Sequence, residues 1–263
     1  MRVHVEEWCK GKSFKQKSNA FIAYGRYNVR LYIWGDVWAE NTVKLTSDTV
    51  YNVIGEIPAS IEMNGHNIIS NVMLNADNAG LSIIGTDMEN LTINGEGLQF
   101  AVAAQSSSNA KVLISNVKKV DITGNVINDS LLHSNINGAI IFDKVGLFNI
   151  TTEKSIGLHA QGGLIYIDAD AVSIKSKDEN AIWAQLSNCS GDYPSDVKIK
   201  SSGDITLQST SSRAVGAVNM DSNVTDNKVT VDLQGKNIYV ISEKSTGLLS
   251  NDFQTGKTSI ILN

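Results

Sequence analysis

Four segments of the chain align without a gap and decide its fold: FNITTEKSIGLHA (148–160), VSIKSKDENAIWA (172–184), ITLQSTSSRAVGA (205–217) and IYVISEKSTGLLS (238–250). Each contains two apolar residues separated by one residue, then six mostly polar residues, Gly or Ala, an aliphatic residue, any residue, and Ala or Ser. The last three segments are spaced by 33 residues, and the first precedes the second by 24. Repetition at this period is typical of a solenoid, in which successive coils stack on one another.

A further short strand fits between successive segments, at 165–167, 197–199 and 229–231. Three strands per unit predict a triangular coil, and coils stacked at about 4.8 Å form inward-facing columns of equivalent residues. The predicted columns are Ile150, Ile174, Leu207, Val240; Phe148, Val172, Ile205, Ile238; Leu158, Ile182, Val215, Leu248; and Ala160, Ala184, Ala217, Ser250. The last column, of small residues, predicts a tight corner. We therefore predict an all-β chain folded as a right-handed parallel β-helix with three-strand coils.

The chain divides into two predicted parts. Residues 1–42 form a lead-in and cap, and residues 43–263 form the solenoid, with regular coils from about residue 147. The aromatic residues concentrated in 21–38 allow two interpretations, a sugar-binding platform or a plug over the end of the solenoid. We favour the plug, because an uncovered end exposes core residues and unpaired backbone.

Composition and charge exclude several classes of protein. The net charge is −5 and no basic stripe occurs, so no nucleic-acid partner is expected. No apolar run reaches the length of a membrane span. The N-terminal residues carry charges where a signal peptide has its apolar core. Either the protein is cytoplasmic, or the chain is an excised piece or mature portion of a longer protein, and the repeat favours the second interpretation. Cys9 and Cys189 lie far apart in sequence and are expected to be free thiols.

The sequence predicts no catalytic, cofactor-binding or metal-binding residues. His4, His66, His133 and His159 show no ligand spacing and are interpreted as surface residues. Aligning the middle strands places Asp168, Lys200 and Asp232 in one outward column, which predicts a ladder of alternating charge. A calcium site at Asp168 and Asp170 is the alternative, but it needs several converging oxygens, and Lys200 opposes it.

The nine-residue difference between the two spacings lies in the connections 186–196 and 219–228. Insertions at equivalent positions project from one edge of a solenoid, so we expect the two loops to lie side by side. They supply the candidate binding residues Asp192, Tyr193, Asp221 and Asp226.

Two units, VKIKSSGDITLQSTSSRAVGAV (197–218) and VTVDLQGKNIYVISEKSTGLLS (229–250), resemble the passenger regions of bacterial autotransporters and related surface adhesins. The resemblance covers about 100 residues, with about 100 more upstream that fit it. It implies a secreted, cysteine-poor, right-handed β-helix that a separate C-terminal membrane domain carries to the cell surface.

Taken together, these features predict a non-enzymatic fragment of a bacterial cell-surface or secreted protein that acts as an adhesin or stalk. We expect a monomer without a cofactor, and a host-surface glycan or protein as its partner. One alternative is a β-helical polysaccharide lyase or glycoside hydrolase, which requires outward carboxylates clustered across adjacent coils with Lys or Arg beside them. A purely structural spacer is the other alternative.

Overall fold

A computed structural model describes residues 20–23, 30–33, 42–76, 80–105, 110–186, 194–220, 228–252 and 257–263. The chain divides into two compact units, Met1–Ala39 and Glu40–Asn263. In the first unit the described backbone forms the antiparallel strands β1 (Ala20–Ala23) and β2 (Arg30–Ile33). Most of the aromatic segment lies outside the described residues, and its role as a cap stays a prediction.

The second unit consists of short strands and turns, with no helix among its described residues. Its strands are β3 (Val43–Lys44), β4 (Thr49–Tyr51), β5 (Ser60–Glu62), β6 (Ile68–Ser70), β7 (Leu74–Ala76), β8 (Leu81–Ile84), β9 (Asn90–Asn94), β10 (Val102–Ala104), β11 (Lys111–Ser115), β12 (Lys119–Thr123), β13 (Ser130–Asn135), β14 (Ala139–Thr152), β15 (Ile156–Gln161), β16 (Leu164–Ser176), β17 (Ile182–Leu186), β18 (Ser195–Ser201), β19 (Asp204–Ser209), β20 (Val215–Asn219), β21 (Lys228–Gln234), β22 (Asn237–Ser242), β23 (Leu248–Asp252) and β24 (Lys257–Leu262).

These strands stack as a parallel β-solenoid of about six turns, which confirms the predicted architecture. A seven-stranded sheet has the order β23-β20-β17-β15-β13-β10-β7. A fifteen-stranded sheet contains two rows, β24-β21-β18-β16-β14-β11-β8-β5-β3 and β22-β19-β16-β14-β12-β9-β6-β4, which share the long strands β14 and β16. Each regular coil therefore contributes three strand segments, one to the smaller sheet and two to the larger.

The inward columns agree with the predicted alignment. Ile150 pairs with Ile174, which pairs with Leu207, and Leu207 pairs with Val240. The column that begins at Leu158 continues through Ile182, Val215 and Leu248 in the same way. Their members from the central coils are fully buried, and stacking of such residues forms one continuous hydrophobic core along the solenoid.

Two details of the predicted alignment are wrong. The column of small residues lies within strands β15, β17, β20 and β23 and does not form a corner. Its alanines, Ala160, Ala184 and Ala217, face the core. Lys200 pairs with Gln234, whereas Asp232 pairs with Lys198. The observed pairing differs from the predicted one by two residues, and a slip of two residues keeps Val229, Val231 and Leu233 on the inward face, so apolar alternation alone does not determine it.

The Ser-rich turn within each repeat segment has a structural role. Ser176, Ser209 and Ser242 stack in register across successive coils. Their hydroxyls donate to the backbone carbonyls of Ser155, Glu179 and Ser212 at 2.8, 2.8 and 2.9 Å. Backbone carbonyls shielded from water are costly without a partner, and this ladder of hydroxyls supplies one, which explains why a serine recurs at this position of the repeat.

Candidate functional sites

A pocket of about 280 Å³ opens where the two rows of the fifteen-stranded sheet meet. Here β14 has a register shift between Phe142 and Val145. The pocket, which we call the corner pocket, is lined by Asp87, Asn116, Lys144, Val145, Gly146, Asp168, Ala169 and Asp170. Irregularities of this kind bend a strand and re-aim its side chains, and they are frequent beside functional sites.

The backbone of the corner pocket is built from residues in the left-handed conformation. Asp87, Asn116 and Lys144 have φ angles of 71°, 53° and 53°. The Asp87 backbone N–H donates to the Asn116 carbonyl at 2.7 Å, and the Asn116 N–H donates to the Asp143 carbonyl at 3.0 Å. Asn and Asp adopt this conformation readily, but it costs a residue such as Lys about 1–2 kcal/mol. Backbone strain of this size is often found at functional sites.

Two acidic side chains of the corner pocket, Asp168 and Asp170, already have partners. Lys200 Nζ lies 3.0 Å from Asp168 Oδ2, and the Tyr166 hydroxyl donates to the same oxygen at 3.4 Å. The Ser202 hydroxyl donates to Asp170 Oδ1 at 3.0 Å. The predicted pairing of Asp168 with Lys200 is therefore confirmed, and this ion pair opposes a calcium site at Asp168.

A buried carboxyl lies next to the pocket lining in the chain. Asp143 is 6% exposed, and burial raises its pKa, although the nearby Lys144 and Lys200 charges oppose the rise. Burial also raises the pKa of the Tyr166 hydroxyl, and the negative charges of Asp168 and Asp143 raise it further. Asp143 thus favours its protonated form more than an exposed carboxyl does.

A second cluster, Asp129 with His133 and His159, lies on the outer side of the seven-stranded sheet. His133 pairs with His159 in the next coil, and their rings meet edge to face with centroids 5.0 Å apart. Asp129 Oδ2 lies 2.7 Å from His159 Nδ1, and Asp129 Oδ1 lies 3.7 Å from His133 Nδ1. One nitrogen of each imidazole and one carboxylate oxygen all lie within 4.8 Å of one another. We call these three residues the His–Asp cluster.

The environment of the His–Asp cluster affects its ionisation. Burial lowers the pKa of His133 to about 4, helped by the His159 ring and opposed by the Asp129 charge. For Asp129, burial favours the neutral form, but the hydrogen bond to His159 and the charges of both histidines lower its pKa to about 2. At neutral pH the carboxylate is therefore ionised and the His133 ring is neutral.

The prediction that the histidines are surface residues is wrong for two of them. His133 and His159 are 6% and 2% exposed. His159 occupies the same position in its coil as Trp183, Gly216 and Leu249 in the following coils. A signal for His133 was present in the sequence, because SLLHS (130–134) aligns with IGLHA (156–160) as one further copy of the end of the repeat. No sequence signal indicated that Asp129 approaches both rings.

The four loop residues predicted to bind a ligand, Asp192, Tyr193, Asp221 and Asp226, lie outside the described residues, as do Cys9 and Cys189. The strands that flank the two loops are neighbours. Leu186 pairs with Asn219 where the loops begin, and Ser195 pairs with Val229 where they end. Both loops therefore leave and rejoin the solenoid from adjacent coils, and their role in binding stays a prediction.

The part of the chain that the structure describes has no helix with the length and hydropathy needed to span a bilayer. Comparison with known proteins found no match to a family model, to a curated protein or to a solved structure.

Proposed function

We propose that the protein is a non-enzymatic β-solenoid of a bacterial cell surface that acts as an adhesin or stalk and binds a glycan in the corner pocket. The observation that carries this proposal is Lys144, a strained residue placed among Asp87, Asp168 and Asp170. Asn116 adopts the same backbone conformation in the preceding coil, so the position has no structural need for a lysine. This favours a role for the ammonium group in contacting a ligand.

The chemistry of the corner pocket favours a sugar. Carboxylates accept hydrogen bonds from sugar hydroxyls, and the Lys144 ammonium and Asn116 amide donate to sugar oxygens. The volume, about 280 Å³, lies close to the lower limit of about 300 Å³ for small-molecule sites, which suits a short glycan segment. A rigid solenoid suits the stalk, because its continuous core resists bending between coils.

Binding is favoured over catalysis by the partners of the acidic groups. Asp168 is paired with Lys200, and Asp170 accepts from Ser202, so neither carboxylate is held ready as a base. Asp143, whose pKa is raised, is almost fully buried and does not line the pocket. A glycosidase needs its acid and its base on opposite sides of the scissile bond.

A β-helical polysaccharide lyase or glycoside hydrolase is the second candidate, supported by the grouping of Asp168, Asp170 and Lys144 across the corner pocket. Its test is incubation with polyuronates and neutral polysaccharides, with unsaturated products and new reducing ends as the readouts. If turnover occurs and is lost in Asp168→Asn and Asp170→Asn, the lyase or hydrolase replaces the adhesin.

The adhesin is tested by binding of the full chain to a glycan array, followed by titration with the glycans that bind. We expect Asp87→Asn and Asp170→Asn to weaken binding at least tenfold, because each removes an acceptor from the pocket. Asp204→Asn is the matched control, since Asp204 is an exposed carboxylate that pairs with Asn237 at 2.8 Å outside the pocket. If all three variants bind the glycan as tightly as wild type, the glycan does not bind in the corner pocket. If Tyr193→Ala then weakens glycan binding, the binding site lies at the loops.

A further inference from the structure

We propose that Asp129, His133 and His159 bind a divalent transition-metal ion of the zinc class. Zinc lies about 2.0–2.2 Å from nitrogen and oxygen ligands, so tetrahedral ligand atoms are about 3.4 Å apart. The distances from the Asp129 oxygens to His159 Nδ1 and His133 Nδ1, 2.7 and 3.7 Å, lie on either side of that value. One ligand atom from each of the three residues lies within 4.8 Å of the other two, so side-chain shifts of about 1 Å bring the three atoms to the spacing that an ion requires.

The ligand set indicates the class of ion. Two imidazoles and one carboxylate suit Zn²⁺, Co²⁺ and Ni²⁺, whereas Ca²⁺ and Mg²⁺ require a shell of oxygens. Three protein ligands leave a fourth position for water or another ligand. The Asp129 side chain is 48% exposed while the two imidazoles are buried, so the carboxylate provides the route by which an ion enters from solvent.

The surroundings hold the three ligands in place. Phe100 stacks on the His133 ring with centroids 4.6 Å apart, and the two histidine rings contact each other. The Ser130 hydroxyl donates to Asp129 Oδ1 at 2.9 Å and lies 3.3 Å from His133 Nδ1. Groups that orient ligands in this way raise metal affinity, because less conformational freedom is lost on binding.

A bound ion would link β15 to β13 and to the turn that precedes β13. His133 and His159 belong to adjacent coils, and Asp129 directly precedes β13, the strand that contains His133. An ion that binds only the folded chain stabilises the contact between these coils. The His–Asp cluster shares no residue with the corner pocket. Absence of metal binding and absence of glycan binding are therefore separate results.

The experiment uses the full chain with Cys9→Ser and Cys189→Ser, which removes competing thiols, after treatment with a chelator. Zn²⁺ is titrated by calorimetry, and Co²⁺ is followed by its visible absorption. We expect one Zn²⁺ per chain and tetrahedral cobalt bands, with Asp129→Asn and His159→Gln each weakening affinity at least tenfold. His66→Ala is the matched control, since His66 Nδ1 also lies 3.7 Å from a carboxylate oxygen, of Asp48, but has no second histidine there.

Absence of saturable zinc binding, or binding that these two variants leave unchanged, overturns the proposal. Circular dichroism and thermal melting establish that each variant is folded. If His159→Gln does not fold, Asp129→Asn decides alone, because its half-exposed amide preserves the shape of the side chain. Loss of binding in His66→Ala also overturns the proposal, since it places the ion at His66.

Discussion

Replacing Glu89 with Gln should destabilise the solenoid more than any conservative change at its surface. Glu89 is 1% exposed and lies at the turn between β8 and β9. Its Oε1 accepts from the Gly65 N–H at 2.6 Å and the Thr86 hydroxyl at 2.7 Å. Its Oε2 accepts from the backbone N–H groups of Thr86 at 2.7 Å and Met88 at 3.1 Å. One carboxylate therefore satisfies four donors from two coils.

The magnitude follows from the pKa of this carboxyl. Burial favours its neutral form, but the hydrogen bonds from Thr86, Gly65 and Met88 outweigh burial and lower the pKa from 4.5 to about 2. At 1.36 kcal/mol per pKa unit, this lowering corresponds to about 3 kcal/mol of stability at pH 7. The loss of two charge-assisted hydrogen bonds leads to a similar figure, about 3 kcal/mol, because a Gln amide accepts at one atom only.

The sign of the pH dependence follows from the same lowering. The folded-state pKa lies below the unfolded value, so the stabilisation is complete above about pH 4.5 and is lost as the pH falls towards 2. Glu89→Gln has no group to titrate at this position. The difference in unfolding free energy between wild type and variant should therefore shrink from about 3 kcal/mol at pH 7 to less than half of that at pH 3.

Urea unfolding of the full chain, followed by circular dichroism at both pH values, measures this difference. Equal slopes in the two proteins are required, because coils of a solenoid that unfold separately change the slope. Glu96→Gln is the matched control. Glu96 accepts from the Asn125 N–H at 2.8 Å across coils but is exposed, so its loss should cost less than about 1 kcal/mol. A Glu89→Gln cost below about 1 kcal/mol, or one that is the same at both pH values, refutes the reasoning.

Three further substitutions test the local structure, each by urea unfolding. Lys144→Asn should stabilise the chain by about 0.5–1 kcal/mol, because Asn tolerates the left-handed backbone; destabilisation would show that no strain is present. Gly216→Ala should cost about 1–3 kcal/mol, because the new Cβ would lie 2.2 Å from the Trp183 ring; a neutral effect would mean that the ring moves freely. Lys200→Met should cost under about 1 kcal/mol, since Lys200 is 59% exposed and its ion pair with Asp168 is screened; a larger loss would assign the pair a core role.

The repeat predicted what depends on local alternation. Inward residues such as Ile174 and Leu207 are spaced by whole coils, and burial requires them to align, so their columns followed from the sequence. The register of outward residues was less predictable, because a slip of two residues along β21 moves Asp232 away from Lys200 while the inward face stays apolar. The loops around Tyr193 stay a prediction for a different reason, since they lie outside the described residues.

The amino-acid sequence by itself determined the solenoid, because a repeated alternation of apolar residues has one efficient way to become buried. Only the tertiary structure decided which polar groups meet. Lys144 and Asp170 share a pocket through a bulge and a bend in long strands, and Asp129 approaches His159 across a turn. The physical reason is that outward side chains are not constrained by the core, so their meeting depends on the length and conformation of each corner.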